Sequence, residues 1–380
     1  MHPRLELDVG WRDLIWAAIG RRRAQVALPP DAVVGLSVRT LFDALLVELA
    51  LPAAAGIAMS AVTVHDMAAI VRAHGHGVQP VDIDLDTLAP EPAILEAAIG
   101  SQSRVFVLAQ LYGARAGLAD VAAICRARGV LLIEDAAQAF DGRLGLAEGA
   151  DVSLYSFGPI KTSTALGGGL AFIRDPNLAA RMRLRLDGYP QLSERWFRRR
   201  ARKYVALKLF NMPWLYGLIV RGLEQTGRDP DRVVGGMARG FVGQDLMRAI
   251  RHRPPAALLQ LLAARLAAPK GVGSRATRGE ALYAALGPSV ERPGRLAIRP
   301  THWLAPILAA DPGALVRRLR AAGFDATRGA TSMRSLADAD HPCPNADRLI
   351  AQAVYLPSGP SMGARAVERL ATVVREALRL

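Results

Sequence analysis

Apolar positions along the first half of the chain fall in short runs separated by helix-spaced stretches. Val33–Ser37, Ile57–Val64, Val78–Ile83, Arg104–Ala109 and Val130–Ile133 read as strands. Between them, Thr40–Leu51 places Leu41, Leu45, Leu46 and Leu49 at helical spacing and stops at Pro52. His65–Ala73 is a second helix closed by Gly75 and Gly77, Pro92–Ile99 a third, and Leu118–Arg128 a fourth stopped by Gly129. The strands are continuously apolar rather than alternating. Strands of that kind, joined through helices, predict right-handed βαβ units and a mostly parallel sheet covered on both faces. Ligands of such sheets sit at the carboxyl ends of the strands, and Glu134-Asp135 follows directly on one of them.

Asp151–Ile173 reads as a short strand, a polar turn carrying Lys161, a glycine run and another strand. From 190 to 250 the alternation breaks. Arginines and lysines crowd 195–208, interleaved with Trp196, Phe197, Tyr204 and Phe210. On a helix, Phe197, Ala201, Tyr204 and Leu207 share one face with the arginines opposite. Residues 255–268 form another helical run. A smaller α/β unit begins near 295, with strands at Leu304–Leu308 and Val354–Leu356 and helices at Gly313–Ala322 and Ala364–Leu378. The expected organisation is an N-terminal arm (1–30, with an amphipathic piece at Trp11–Ile19 and the basic run Arg21–Arg23), a large domain (31–189), a basic-aromatic helical insert (190–250) and a helical connection with a small C-terminal domain (251–380). No internal repeat is present.

Composition narrows the function classes. The 380 residues are half apolar, enough for a sizeable core, and the formal net charge is +14. That balance suits an anionic ligand, an acidic membrane face or nucleic acid, and no nucleic-acid-binding motif accompanies it. Two cysteines without CxxC spacing, Cys125 in a helix and Cys343 in a loop, argue against a zinc site or a disulfide scaffold. No metal site is expected. Acidic residues precede any apolar run at the N-terminus and no segment is apolar for about 18 residues, so a cytoplasmic location is expected, with an option of peripheral contact with the inner face of a membrane.

A lysine between apolar strands is either a solvent-facing loop residue or one that loses its charge, for instance in a Schiff base with a carbonyl cofactor. Pyridoxal 5′-phosphate needs a lysine for its aldehyde, a carboxylate for its ring nitrogen, donors for its phosphate and a cover for its ring. Lys161, Asp135, then Ser156 with Thr40, meet the first three. Gln138 could bond the ring's phenolic oxygen, and His65 is the candidate cover. A phosphate-loop reading of Gly167–Gly169 fails, because no G-x-x-x-x-G-K-[ST] surrounds Lys161.

The run Gln110-Leu-Tyr-Gly113, Asp120, Leu132-Ile-Glu-Asp-Ala-Ala-Gln-Ala139, Tyr155-Ser-Phe-Gly-Pro-Ile-Lys161 and Gly167-Gly168 resembles the DegT/DnrJ/EryC1/StrS family. Val81–Leu88 and Tyr355-Leu-Pro357 also look like that family. The resemblance implies an aspartate-aminotransferase-like fold (fold type I) and a homodimer with each site completed by the partner chain. It implies Lys161 as the aldimine lysine and proton carrier, Asp135 on the pyridinium, Gln138 on the ring hydroxyl, and Ser156 and Thr40 on the phosphate. Gln110, Gly158, Leu166 and Arg39-Thr40 depart from the family pattern. The residue aligned with the family's ring-covering aromatic is Val64, and the family's Gly-x-Asn-x-Arg segment has no counterpart. The implied activity is transfer of an amino group from an amino-acid donor, glutamate, to a keto or aldehyde acceptor such as a nucleotide- or lipid-linked sugar. The alternatives are an elimination on the same cofactor and a non-catalytic regulatory or membrane-associated protein. For the insert three roles stand open: a helix packing at the dimer interface, contact with an anionic membrane through 195–210, or binding of a substrate's phosphates.

Overall fold

The computed structural model describes the chain except residues 5, 21–26, 54, 227–232, 234–244, 270, 330–332 and 380. The basic run Arg21–Arg23 and the stretch Gly227–Pro230 therefore lie outside the described residues.

A seven-stranded sheet organises the large domain. Its strands are β1 (Val33–Gly35), β2 (Gly56–Ser60), β4 (Gly77–Val81), β5 (Ser103–Ala109), β6 (Leu131–Asp135), β7 (Val152–Ser156) and β8 (Gly169–Ile173). Their order is β1-β8-β7-β6-β5-β2-β4. The pairs from β4 to β7 are parallel, and β8 runs antiparallel to both of its neighbours. The continuous apolar runs have a direct cause. Val105 and Val107 face α2 (Val38–Leu49), α3 (His65–Ala73) and α6 (Pro176–Asp187), while Phe106 and Leu108 face α4 (Pro92–Ala98) and α5 (Ala119–Ala127). Both faces are buried, so neither parity can be polar.

Two expected elements need correction. Ile57–Val64 is not one strand. The chain leaves the main sheet at Ala61, and β3 (Val62–Val64) pairs antiparallel with β10 (Met333–Ser335) from the C-terminal region. Both halves are buried, so hydrophobicity alone carries no trace of the change of partner. The first helix begins at Val38 rather than Thr40, with Ser37 as the N-cap, its side chain accepting from the Thr40 N–H at 3.3 Å.

The insert also differs from expectation. In α7 (Glu194–Phe210) the apolar face of Phe197, Ala201 and Tyr204 is buried within the same chain, against α1 (Trp11–Ile19), α10 (Ala256–Ala267) and the β7–β8 region. It is not available as a dimer interface. Arg200 is not opposite that face in solvent either: its Nε donates to the Leu166 carbonyl at 2.6 Å. Among the described residues, three further helices are α8 (Pro213–Gln225), α9 (Leu246–Ile250) and α11 (Val272–Leu286). The C-terminal unit pairs β9 (Ala305–Leu308) with β11 (Ala353–Leu356) and packs α12 (Pro312–Ala321), α13 (Pro344–Gln352) and α14 (Ala364–Leu378) around its own core. Cys125 is buried in the core under α5, and Cys343 caps α13.

Candidate active site

Asp135 is the last residue of β6. Its register is set on both sides, against Ala109 and Leu154, and Gln110 N–H donates to its carbonyl at 2.9 Å. The carboxylate is buried and accepts one hydrogen bond from Ala137 N–H at 3.0 Å. Burial pushes its pKa up, while the Ala137 N–H, Lys161 and Arg39 pull the other way.

Lys161 follows β7 on a tight turn, its N–H bonded to the Gly158 carbonyl at 3.0 Å. Desolvation lowers its amine to about 7, against the opposing pull of Asp135; Arg39 lowers it further. The two sequence-predicted partners therefore sense one another across the carboxyl ends of adjacent strands. The Lys161 ammonium lies 4.0 Å from the centroid of the Trp303 ring, and Trp303 Nε1 donates to the Ile160 carbonyl at 2.7 Å. Trp303 is buried and holds the lysine turn from the C-terminal side of the chain.

Ser156 closes β7, directly opposite Gly169. A Cβ on Gly158 would lie 3.6 Å from Ser156 Oγ and 3.8 Å from Lys161 Cγ, so the hydroxyl and the lysine stem share one side of the turn. The same construction on Gly169 meets Ser37 and Val38 backbone at 2.8 Å, which puts the N-terminus of α2 against Ser156. Arg39, in the first turn of that helix, pairs with Asp66 at 2.6 Å. The hydroxyls of Thr162 and Ser163, next to Lys161, are buried with no hydrogen-bond partner.

The other expected residues are placed differently. Thr40 is fully buried and its hydroxyl donates to the Ile250 carbonyl at 2.8 Å. His65 is exposed at the first turn of α3, beside Asp66, the partner of Arg39. Gln138 is buried near the site. Its Oε1 accepts from Tyr112 N–H at 3.1 Å and its Nε2 contacts Met333 sulfur at 3.4 Å, so its amide is held by protein partners. Arg39 and Trp303 were missed by sequence reasoning. The departure at Arg39-Thr40 was a visible signal for the first. Nothing in the pattern around 303 marks the second.

Beneath Asp135 lies a buried charge cluster. Glu134 accepts from Arg115 at 2.6 Å, Gln110 at 3.1 Å and Ser153 at 2.8 Å. Arg115 is held charged by Glu134 despite burial. From outside, Asp8 of the N-terminal arm accepts from Ser163 N–H at 2.9 Å and is itself gripped by Arg265 at 2.7 Å through its carbonyl and at 3.1 Å through its carboxylate.

The residues present fit pyridoxal phosphate: a buried carboxylate short of a cation, an amine that loses its proton near neutrality, and a serine hydroxyl beside a helix N-terminus and an arginine. Comparison with known proteins agrees. Residues 36–209 match the model of the DegT/DnrJ/EryC1/StrS aminotransferase family, whose cofactor is pyridoxal 5′-phosphate. The chain is similar to the "Pleiotropic regulatory protein" of Geobacillus stearothermophilus, 35% identical over 114 residues, 28% of this chain and 31% of that one. It is 41% identical over 112 residues to the L-glutamine:2-deoxy-scyllo-inosose aminotransferase of Streptomyces kanamyceticus, 28% of this chain and 26% of that one. These alignments thus span between a quarter and a third of the curated relatives' length. The fold is similar to that of the sugar aminotransferase CalS13 of Micromonospora echinospora over 99% of this chain and 100% of the other, with a TM-score of 0.69 and 19% identity. The matched residues 36–209 carry Arg39, Asp135, Ser156 and Lys161, so over this stretch the chain is similar to the DegT/DnrJ/EryC1/StrS aminotransferase family.

Proposed function

We propose that this protein is a pyridoxal phosphate-dependent aminotransferase that moves an amino group from an amino-acid donor to a keto group on a sugar-like ring. The observation that carries the reading is the Lys161–Asp135 pair, with the amine lowered to about 7 and the carboxylate buried at a strand's carboxyl end. When bound, the cofactor supplies an aldehyde for amino groups and a ring that withdraws electrons from the bond to the donor's α-carbon. Lys161 Nζ then takes the proton from that carbon and later returns one, a task suited to a base poised near working pH. Asp135 holds the ring nitrogen's proton, and that cation offsets the cost of the buried carboxylate. Ser156, the α2 N-terminus and Arg39 hold the phosphate, with Arg39 exchanging its Asp66 partner for a dianion. Asp8 accepts from Ser163 N–H and Arg200 donates to the Leu166 carbonyl, which fixes the chain just after Lys161.

The names of the similar proteins support a keto-sugar or inosose acceptor and glutamine beside glutamate as donor. The working unit in this reading is a homodimer; a monomeric mass by light scattering would overturn that part. The whole is tested by absorbance. Purified protein mixed with pyridoxal phosphate should gain a band that borohydride fixes onto the Lys161 peptide and that Lys161→Ala abolishes. Glutamate or glutamine should bleach it. A band that no amino donor changes would leave a cofactor-binding regulatory protein, in keeping with the name of the Geobacillus relative.

A further inference from the structure

Among the described residues, twelve large hydrophobic side chains are exposed; seven of them lie on three helices and an eighth, Met212, on the link between two of these. On α1 they are Trp11, Ile15 and Ile19, one turn apart along the flank of the buried Leu14, Ala17 and Ala18. At the corner between α7 and α8 they are Leu209, Phe210, Met212, Trp214 and Leu218, with Trp214 65% and Leu218 60% exposed. The two groups are neighbours. α1 packs along α7, and Lys208 of α7 brings its ammonium within 5.4 Å of the Trp11 ring centroid.

The surroundings of this corner are cationic. The Met1 ammonium donates to the Pro213 carbonyl at 3.0 Å, at the start of α8. Arg12 lies over Trp16 on α1, and Arg195, Arg199 and Lys203 are exposed on α7. Asp13, the one acidic residue of α1, faces Arg265 at 3.7 Å. Apolar tips that include two tryptophans, set among basic groups on helices lying side by side, match the boundary between lipid headgroups and acyl chains. A second copy of this chain fits worse. A two-fold contact would set these cations against their own images, in a chain of net charge +14.

We infer that the α1–α7–α8 corner docks on an anionic membrane surface. The contact is peripheral, since none of the described helices is long and apolar enough to cross a bilayer. Its apolar tips enter the headgroup layer and its cations pair with lipid phosphates. The inference stands independently of the reading of Lys161.

Sedimentation of the full chain with vesicles tests it. The protein should bind vesicles containing phosphatidylglycerol, bind pure phosphatidylcholine weakly, and come off as salt rises. Trp214→Ser with Leu218→Ser should weaken binding about tenfold or more, on the scale of two lost apolar side chains. Arg195→Glu with Arg199→Glu should do the same by charge alone, which protects the test if the apolar pair misfolds. Leu184→Ser, at an exposed apolar site outside the corner, should change nothing. Absence of binding to the anionic vesicles would overturn the inference, as would binding that both double variants leave intact. If the apolar pair instead converts a dimer to a monomer while wild type ignores vesicles, the corner is a subunit interface. If wild type ignores vesicles and binds RNA in low salt, the cations serve a nucleic acid.

Discussion

Lys161 decides the chemistry at the level of single residues. Its amine is lowered to about 7 because desolvation outweighs the attraction of Asp135. The charged form dominates below that value and cannot attack an aldehyde. Uptake of pyridoxal phosphate should therefore rise between about pH 6 and about pH 8 and then level off, instead of climbing toward an ordinary lysine's range near 10.4. Stopped-flow absorbance over a pH series checks this. Trp303 contributes to that environment in two opposed ways: its ring face favours the ammonium, and its bulk excludes water. Burial is the main cause of the lowered amine, so Trp303→Ala should admit water and move the uptake midpoint upward. A midpoint moving downward would mean that the ring's attraction dominates. Asp135→Asn removes the carboxylate and should cost most of the cofactor affinity, read by equilibrium dialysis with the apoprotein.

At the level of elements, the segment 301–303 is clamped. Thr301 N–H donates to the Gly113 carbonyl at 2.8 Å, and a Cβ on Gly113 would stand 2.5 Å from Thr301 Oγ1 and from Trp303 N. Gly113 also has φ near 88°, a conformation that side chains resist. On the other side, the His302 ring lies against Gly279 of α11. Gly113→Ala should push the segment away, lower stability by roughly 1–3 kcal/mol and loosen Trp303 from the lysine turn. Thermal unfolding and tryptophan fluorescence measure the two effects. His302 adds a pH term. Burial lowers its pKa below the ordinary 6.5, against the pull of Glu280 at 2.6 Å. The unfolded chain then binds the proton more readily than the folded one, so stability should fall as pH drops below about 6.5. His302→Gln should flatten that slope in denaturant titrations at successive pH values. Under β6, Glu134→Ala would take from buried Arg115 its carboxylate at 2.6 Å, leaving only Asp141 at 3.8 Å, and should cost up to about 3–5 kcal/mol.

Across the whole molecule, three distant parts meet at Asp325. Its carboxylate, fully buried, accepts from Arg4 of the N-terminal arm at 2.6 and 2.7 Å, from Arg320 at 3.2 Å, and from the Tyr216 hydroxyl of α8. Arm, insert and C-terminal unit are thus tied at one point, while Asp8 ties the arm to the lysine turn. Asp325→Ala should destabilise by about 3–5 kcal/mol, since several donors lose a shared acceptor, and should open the N-terminal residues to limited proteolysis. If the arm stays protected, its attachment rests on α1 packing against α7 instead.

The sequence alone determined the parallel sheet, the carboxyl-end position of Asp135 and the pairing of Asp135 with Lys161. Each of these is written locally, in continuous apolar runs and in short motifs at set spacing. The place of Ser156 at the end of the strand before the lysine turn was legible for the same reason. Tertiary structure decided the rest. It turned Thr40 toward Ile250, left His65 at the surface and closed Gln138 on Tyr112 and Met333. It brought Trp303 from about 140 positions away onto the lysine, and it turned the apolar face of α7 inward. Hydrophobic periodicity reports that a residue is buried, through the transfer of apolar area from water. It does not report against what, because that depends on contacts between residues far apart in the chain. The neighbours of Lys161 are of that kind.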